Sequence, residues 1–111
     1  MPLTVDYHEA TVSRIRQEPA YAAALFNEAI ELLLTGEAVA ARTILRDLTN
    51  GLLGFARLAQ ITGRPSDSLR RMLSATGNPG MDALSATLSQ LSKAIFDGRP
   101  TVRVAAKLIA N

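Results

Sequence analysis

Apolar residues recur every three or four positions along most of the chain, which is the period of amphipathic helices. The clearest stripe begins after Glu18-Pro19, since proline is favoured in a first helical turn, and ends at Thr35-Gly36. Its members are Ala22, Leu25, Phe26, Ala29, Ile30, Leu33 and Leu34. Leu32 widens this apolar surface, which indicates burial on more than one side or contact with a partner.

A second helix is predicted from Glu37 to Thr49, where Asn50-Gly51 supplies a stop signal. Its predicted inward face is formed by Ala41, Ile44, Leu45 and Leu48. Leu52 and Leu53 follow in a connector. Because both side chains are apolar, we expect them to fill the core beneath the helices that come next.

The stretch from Gly54 to Ser74 predicts two short helices joined by a tight turn. Gly63 can take the positive φ that ends a helix, and Pro65 fixes the chain just before Ser66, which we expect to cap the second helix. The predicted buried positions are Leu58, Ala59, Leu69, Met72 and Leu73. A short helix, a glycine turn and a second short helix form the helix-turn-helix pattern, whose second helix lies in the DNA major groove. Two surface helices of an ordinary bundle give the same local pattern, so both interpretations stay open.

The polar face of the second helix carries side chains that suit base recognition. A step of about 100° per residue directs Asp67, Arg71 and Ser74 away from the buried stripe, with Ser68 and Arg70 flanking them. Arginine can form two hydrogen bonds with guanine, serine can donate or accept, and aspartate can accept from cytosine. The alternative interpretation is that this polar face is exposed to solvent and binds nothing.

A last helix is predicted from Met81 to Phe96, after the turn Thr-Gly-Asn-Pro-Gly at 76–80. Its apolar seam consists of Met81, Leu84, Leu88, Leu91 and Ile95. Two heptads are too few for a coiled coil, so core packing is favoured over a dimer contact. Asp97-Gly98 closes the helix, and the segment 101–104 fits a strand or a helix equally well. The predicted fold class is all-α: a compact helical bundle with a helix-turn-helix and at most a short C-terminal strand.

Length and composition indicate one small globular domain. The 111 residues are divided into N-terminal helices at 1–36, a helix-turn-helix core at 37–98 and a tail at 99–111. Hydrophobic residues make up 48% of the chain and charged residues 20%, which disfavours disorder. The absence of cysteine excludes disulfides and thiolate metal sites. Because no leader and no apolar run of about 18 residues is present, we expect a cytoplasmic protein that does not contact membranes.

Charge is distributed unevenly along the chain. The net charge of +2 is too small to indicate nucleic acid by itself. Between Gly51 and Gly80, however, the charged residues are Arg57, Arg64, Arg70, Arg71 and a single acid, Asp67. Most other acids lie before residue 50. A basic helix pair that follows an N-terminal half of mixed charge is modest electrostatic evidence for nucleic-acid binding.

No constellation of catalytic side chains is evident. His8 is the only histidine, and we expect it to be exposed on a short helix from about His8 to Arg16. Without a second histidine or any cysteine, the chain offers no evident pair of nucleophile and base. We therefore expect no enzymatic activity, no catalytic residues, no cofactor and no metal.

The stretch from Gly54 to Leu91 resembles the phage-repressor-like (XRE) helix-turn-helix superfamily. The recurring positions of that superfamily are matched by Ala59, Gly63, Leu69 and Leu73. Over about residues 5–105, the chain resembles the HigA-like addiction module antidote group of antitoxins. The matching pieces are Leu25-Phe-Asn-Glu-Ala-Ile30, the turn after Gly36, a helix near Ala40 to Leu48, and Gly77-Asn-Pro79 before the last helix.

The resemblance implies a small helical antitoxin that forms a homodimer and binds double-stranded DNA at its own promoter. Such proteins repress their own operon and neutralise a co-encoded RelE/HigB-like toxin, usually an mRNA-cleaving ribonuclease. By position, the recognition helix is Ser66 to Ser74. The implied base contacts are Ser66, Asp67, Ser68 and Arg71. The implied phosphate contacts are Arg57, Gln60, Arg64 and Arg70.

Several features depart from the pattern of this family, and the loop Leu52-Leu53 and the apolar residues of the 30s are among them. Gly54 stands where a serine or threonine cap is usual, and Phe55 stands where a polar residue, often glutamine, contacts phosphate. Two other functions therefore stay open. One is a free-standing XRE-type transcriptional regulator without a toxin, and the other is a helical protein-interaction module with a degenerate helix-turn-helix.

Overall fold

The computed structural model describes residues 3–96, with side chains from Tyr7 onward, and all regular structure in this range is helical. The helices are α1 (Leu3–Gln17), α2 (Pro19–Leu34), α3 (Ala38–Leu52), α4 (Phe55–Thr62), α5 (Ser66–Met72) and α6 (Met81–Phe96). The predicted all-α fold class is thus confirmed. The segment 101–104 lies outside the described residues, and so does the rest of the predicted tail.

Helices α1, α2 and α3 form a framework in which each packs against the other two. Its buried apolar residues are Ile15, Ala22, Phe26, Ala29, Ala41, Leu45 and Leu48. The prediction that Asn50-Gly51 ends α3 is wrong, because the helix continues to Leu52. The chain turns only at Gly54, which has a φ of 81°. Gly51 serves a different purpose: a Cβ there would lie 2.6 Å from Cγ2 of Ile15, so glycine permits the close approach of α1 to α3.

Helix α6 closes the core by packing against α2, α3 and α4. Leu91 is fully buried, and the Phe96 ring meets the Phe26 ring edge to face at a centroid distance of 5.9 Å. Two predicted core positions are wrong: Met81 is 85% exposed and Leu34 is 57% exposed. Each is a terminal residue of its helix, and no helix in the described part of the chain covers it.

Helices α4 and α5, here called the α4–α5 pair, pack against each other, and α4 also contacts α3 and α6. Leu58, Leu69, Met72 and Leu73 are buried, as their spacing predicts. The backbone N–H groups of Gly63 and Arg64 both bind the Ala59 carbonyl, and Gly63 has a φ of 69°, so this glycine ends α4 as predicted. Leu52 and Leu53 are half-buried and pack against the same core.

The start of α5 differs from the prediction at Ser66. The residue in the N-cap position is Pro65, and Ser66 already belongs to the first helical turn. No side chain caps this end of the helix. Proline fixes its own φ, here −60°, and its carbonyl accepts the Leu69 N–H at 3.1 Å, so α5 begins without a serine cap. With its last residue at Met72, α5 is also two residues shorter than the predicted recognition helix.

Candidate nucleic-acid interface

The residues implied in DNA binding lie at the surface of the α4–α5 pair. Arg57, Gln60, Asp67, Arg70 and Arg71 are exposed, whereas Arg64, Ser66 and Ser68 are half-buried. Together these eight residues are called the basic surface below. It carries four arginines and one acid, while Leu58 and Leu69 of the same helices are buried in the core. The helical period therefore separates an apolar inner face from a basic outer face.

The side-chain hydrogen bonds of the two arginines of α5 are weak and local. Arg70 Nη1 donates to Asp67 Oδ1, and Arg71 Nη2 donates to Ser68 Oγ, each over 3.4 Å. Exposed pairs three residues apart on a helix stabilise a protein by well under about 1 kcal/mol. Both guanidinium groups can therefore exchange these acceptors for others at little cost in free energy. An anionic ligand could supply such acceptors.

The structure explains why Phe55 stands where the resemblance implies a polar residue. Its ring is buried at the start of α4, and the Arg70 guanidinium lies 5.4 Å from the ring centroid, within the range of a cation–π contact. Gly54 also has a structural reason, since its φ of 81° is rarely adopted by residues with a side chain. Serine or threonine would be strained there. Phe55 anchors α4 and supports Arg70 from beneath.

Arg64 lies in the connection between α4 and α5, and its guanidinium lacks an acceptor within residues 3–96. Its buried Nε has no hydrogen-bond partner there. Arg64 lines a shallow groove of about 520 Å³ that runs along α5, together with Ser68, Arg71, Thr76 and Asn78. No carboxylate among the described residues pairs with this guanidinium, so it is available to an anion bound in the groove.

The C-terminal end of α5 is held by a residue that the sequence patterns did not single out. Arg42 on α3 donates from Nε to the Ser74 carbonyl and from Nη2 to the Ala75 carbonyl, each over 2.9 Å. Ser74, expected to face away from the core, is half-buried and donates its hydroxyl to the Arg71 carbonyl at 2.8 Å. An arginine on the polar side of a helix gives no local signal of such a contact, because a solvated arginine has the same sequence pattern.

His8 is not the exposed side chain that the sequence predicts. It is half-buried, and its Nδ1 lies 2.9 Å from Oδ2 of Asp47, a residue that is only 7% exposed. The reason is that α1 is longer than predicted and packs along α3, which carries Asp47. The pair ties two helices of the framework together and is not part of the basic surface.

Other kinds of site find less support in the described part of the chain. Within residues 3–96, no three histidine, aspartate or glutamate side chains come together as a metal site requires. None of the helices there combines the length and the apolar character needed to cross a bilayer. Among known proteins, no family model, no curated protein and no solved structure matches this chain.

Proposed function

We propose that this protein is a DNA-binding antitoxin that represses its own operon, and that the basic surface of the α4–α5 pair is its DNA interface. The observation that carries the proposal is the concentration of four arginines on two short, adjacent helices and the connection between them, while the apolar sides of both helices are buried. Lysine and arginine contacts to phosphate supply most of the affinity of proteins for DNA. A surface with four guanidinium groups and only one carboxylate is therefore suited to a polyanion.

In this proposal, α5 enters the major groove and its residues divide into two classes of contact. Arg71 lies two residues from both Leu69 and Leu73, or about 200° around the helix, so it points away from the core. The proposed base contacts are Ser66, Asp67, Ser68 and Arg71. The proposed phosphate contacts are Arg57, Gln60, Arg64 and Arg70. Arg64 supports the second class, because its guanidinium has no acceptor among the described residues.

The direct test is binding of the purified protein to duplex DNA from its own promoter and to a scrambled duplex of the same composition. We expect tighter binding to the promoter, an affinity for both duplexes that falls with salt, and two half-sites related by a dyad if the protein is a homodimer. Equal and salt-independent behaviour toward both duplexes would refute the proposed DNA interface.

The antitoxin part of the proposal depends on the resemblance and on the surface where α2 meets α3. Leu34 is 57% exposed and Val39 is 55% exposed, on either side of a turn that contains Glu37. Between Pro19 and Ala41 the chain carries three glutamates and no lysine or arginine. Exposed apolar side chains in a segment whose only charged residues are acidic are suited to a basic RelE-like toxin.

Co-expression with the product of the neighbouring gene tests this part. We expect a stable complex and suppression of the toxicity of that product. The double variant Leu34→Ser and Val39→Ser should weaken the complex, while DNA binding stays as in the wild type. A harmless neighbour, or a failure of the two proteins to copurify, would leave a free-standing XRE-type regulator if DNA binding is present. A protein complex without DNA binding would instead identify a helical interaction module.

A further inference from the structure

The far end of α5 needs support from elsewhere in the molecule. With seven residues, α5 is too short to be stable by itself, and the last carbonyls of any helix lack partners within the helix. The chain then leaves α5 through a close contact, since a Cβ on Gly77 would clash with the backbone carbonyls of Arg71 and Met72. The direction of α5 therefore depends on what holds its C-terminal end.

Two kinds of contact reach this end, and they constrain it differently. Leu73 is buried, and burial of an apolar side chain fixes how close the helix lies to the core but is not directional. Arg42 instead donates two hydrogen bonds from one planar guanidinium to the successive carbonyls of Ser74 and Ala75. Such a fork fixes orientation as well as distance.

We propose that Arg42 is a positioning residue for DNA recognition. By holding the Ser74 and Ala75 carbonyls, it sets the angle of α5 against the framework and so aims Arg71 and Ser68 at the bases, without touching DNA itself. The proposal depends on the proposed function of the basic surface. Under this proposal, α3 contributes to the preference of the protein for one DNA sequence, although α3 lies outside the α4–α5 pair.

Substitution by lysine separates positioning from charge. Arg42→Lys keeps the positive charge but replaces the planar fork by a single ammonium group, which cannot hold two carbonyls in the same geometry. Arg46 provides the matched control, because it lies one turn further along α3, is exposed, and makes no hydrogen bond or ion pair among the described residues. Both variants are measured on promoter and scrambled DNA, and amide exchange is followed at Ser74 and Gly77.

We expect Arg42→Lys to lose about ten-fold in affinity for promoter DNA, the scale of one misplaced base contact, with little change on scrambled DNA. Exchange at Ser74 and Gly77 should quicken, because the Ser74 N–H belongs to a residue that Arg42 holds, and the Gly77 N–H binds the same Ser74 carbonyl as Arg42 does. Arg46→Lys should match the wild type in every measurement. Arg42→Gln, which lacks the charge, should show the same loss of preference, and circular dichroism establishes that each variant is folded.

A folded Arg42→Lys protein that keeps the wild-type ratio of promoter to scrambled affinity would overturn the inference, even if exchange at the end of α5 quickens. In that case the contact is structural only. A wild-type protein without any promoter preference would overturn the proposed function and this inference together, so the two failures are distinguishable.

Discussion

The framework of α1, α2 and α3 and the α4–α5 pair bury the same kinds of side chain but expose different chemistry. The framework helices have 15 or 16 residues, and each packs against at least two others. Helices α4 and α5 have eight and seven residues. Short helices are marginal in water, so the α4–α5 pair depends for its stability on the core that it shares with the framework.

The hydrogen bonds made by charged side chains are shorter at Arg14 and His8 of the framework than at Arg70 and Arg71 of the α4–α5 pair. Arg14 binds Glu18 at 3.0 Å and lies 4.0 Å from the Tyr21 ring centroid, and His8 binds Asp47 at 2.9 Å. On the basic surface, the side-chain hydrogen bonds of Arg70 and Arg71 are both 3.4 Å long. The comparison indicates that the buried contact of His8 with Asp47 helps to fix the framework helices, whereas the longer contacts of Arg70 and Arg71 leave these arginines available for a ligand.

The largest expected change in stability comes from the buried stripe of the pair. Leu69→Ala should lower the free energy of unfolding by about 2–5 kcal/mol, because Leu69 is fully buried and the site cannot collapse completely. Ile61→Ala is the control within the same pair, since Ile61 is 44% exposed, and its cost should stay below about 1 kcal/mol. Urea unfolding measures both. Equal costs would show that the inner and outer faces of the pair are assigned wrongly.

A smaller effect is expected where α1 meets α3 in the framework. Alanine in place of glycine inside a helix ordinarily stabilises by up to about 1 kcal/mol. Gly51→Ala should instead destabilise by about 1–3 kcal/mol, because its Cβ would overlap Ile15. Gly80→Ala serves as the control, since nothing lies within 4 Å of a Cβ there. A melting temperature that rises with Gly51→Ala would contradict the close approach of the two helices.

The contact between His8 and Asp47 should contribute less. His8→Ala leaves the buried Asp47 carboxylate without its imidazole partner, at a cost on the order of 1 kcal/mol. A double-mutant cycle with Asp47→Asn isolates the coupling between the two side chains. DNA binding of both variants should equal that of the wild type, because His8 and Asp47 lie outside the basic surface. A coupling of zero would mean that the contact does not stabilise the framework.

The sequence predicts the local features of this fold well and its long-range contacts poorly. The bounds of α6, the start of α2 near Pro19 and the end of α4 at Gly63 agree with the prediction, because spacing and turn residues act within a few positions. The prediction that Gly51 ends α3 is wrong because this glycine makes room for Ile15, a residue that is distant in sequence. The contacts of Arg42 with Ser74 and of His8 with Asp47 span more than 30 residues, so no periodicity within one helix could indicate them.

Within the candidate site, the sequence predicts which face is polar but not how its members are held. The exposure of Arg57, Gln60, Asp67, Arg70 and Arg71 follows from helical spacing alone. The burial of Phe55 beneath Arg70 does not follow from it, since the two residues belong to different helices. The assignment of Arg70 and Arg71 to phosphate and base stays a prediction.

The smallest expected change in stability, and the most direct test of the central claim, concerns Arg70 and Arg71. Both are exposed, so replacing either by alanine should leave the melting temperature nearly unchanged. Arg71→Ala should cost about 1–3 kcal/mol on promoter DNA and relax preference at one base pair. Arg70→Ala should weaken binding to all sequences alike and reduce the salt slope by about one counterion.

The deciding measurement is therefore the affinity of Arg70→Ala, Arg71→Ala and wild-type protein for promoter and scrambled duplexes at several salt concentrations. Arg46→Ala on α3 is the control for loss of one positive charge outside the basic surface. The account predicts a loss of promoter preference in Arg71→Ala, a uniform loss in Arg70→Ala, and near wild-type binding in Arg46→Ala. Indistinguishable, salt-independent binding by all four proteins would contradict the claim that α5 binds DNA.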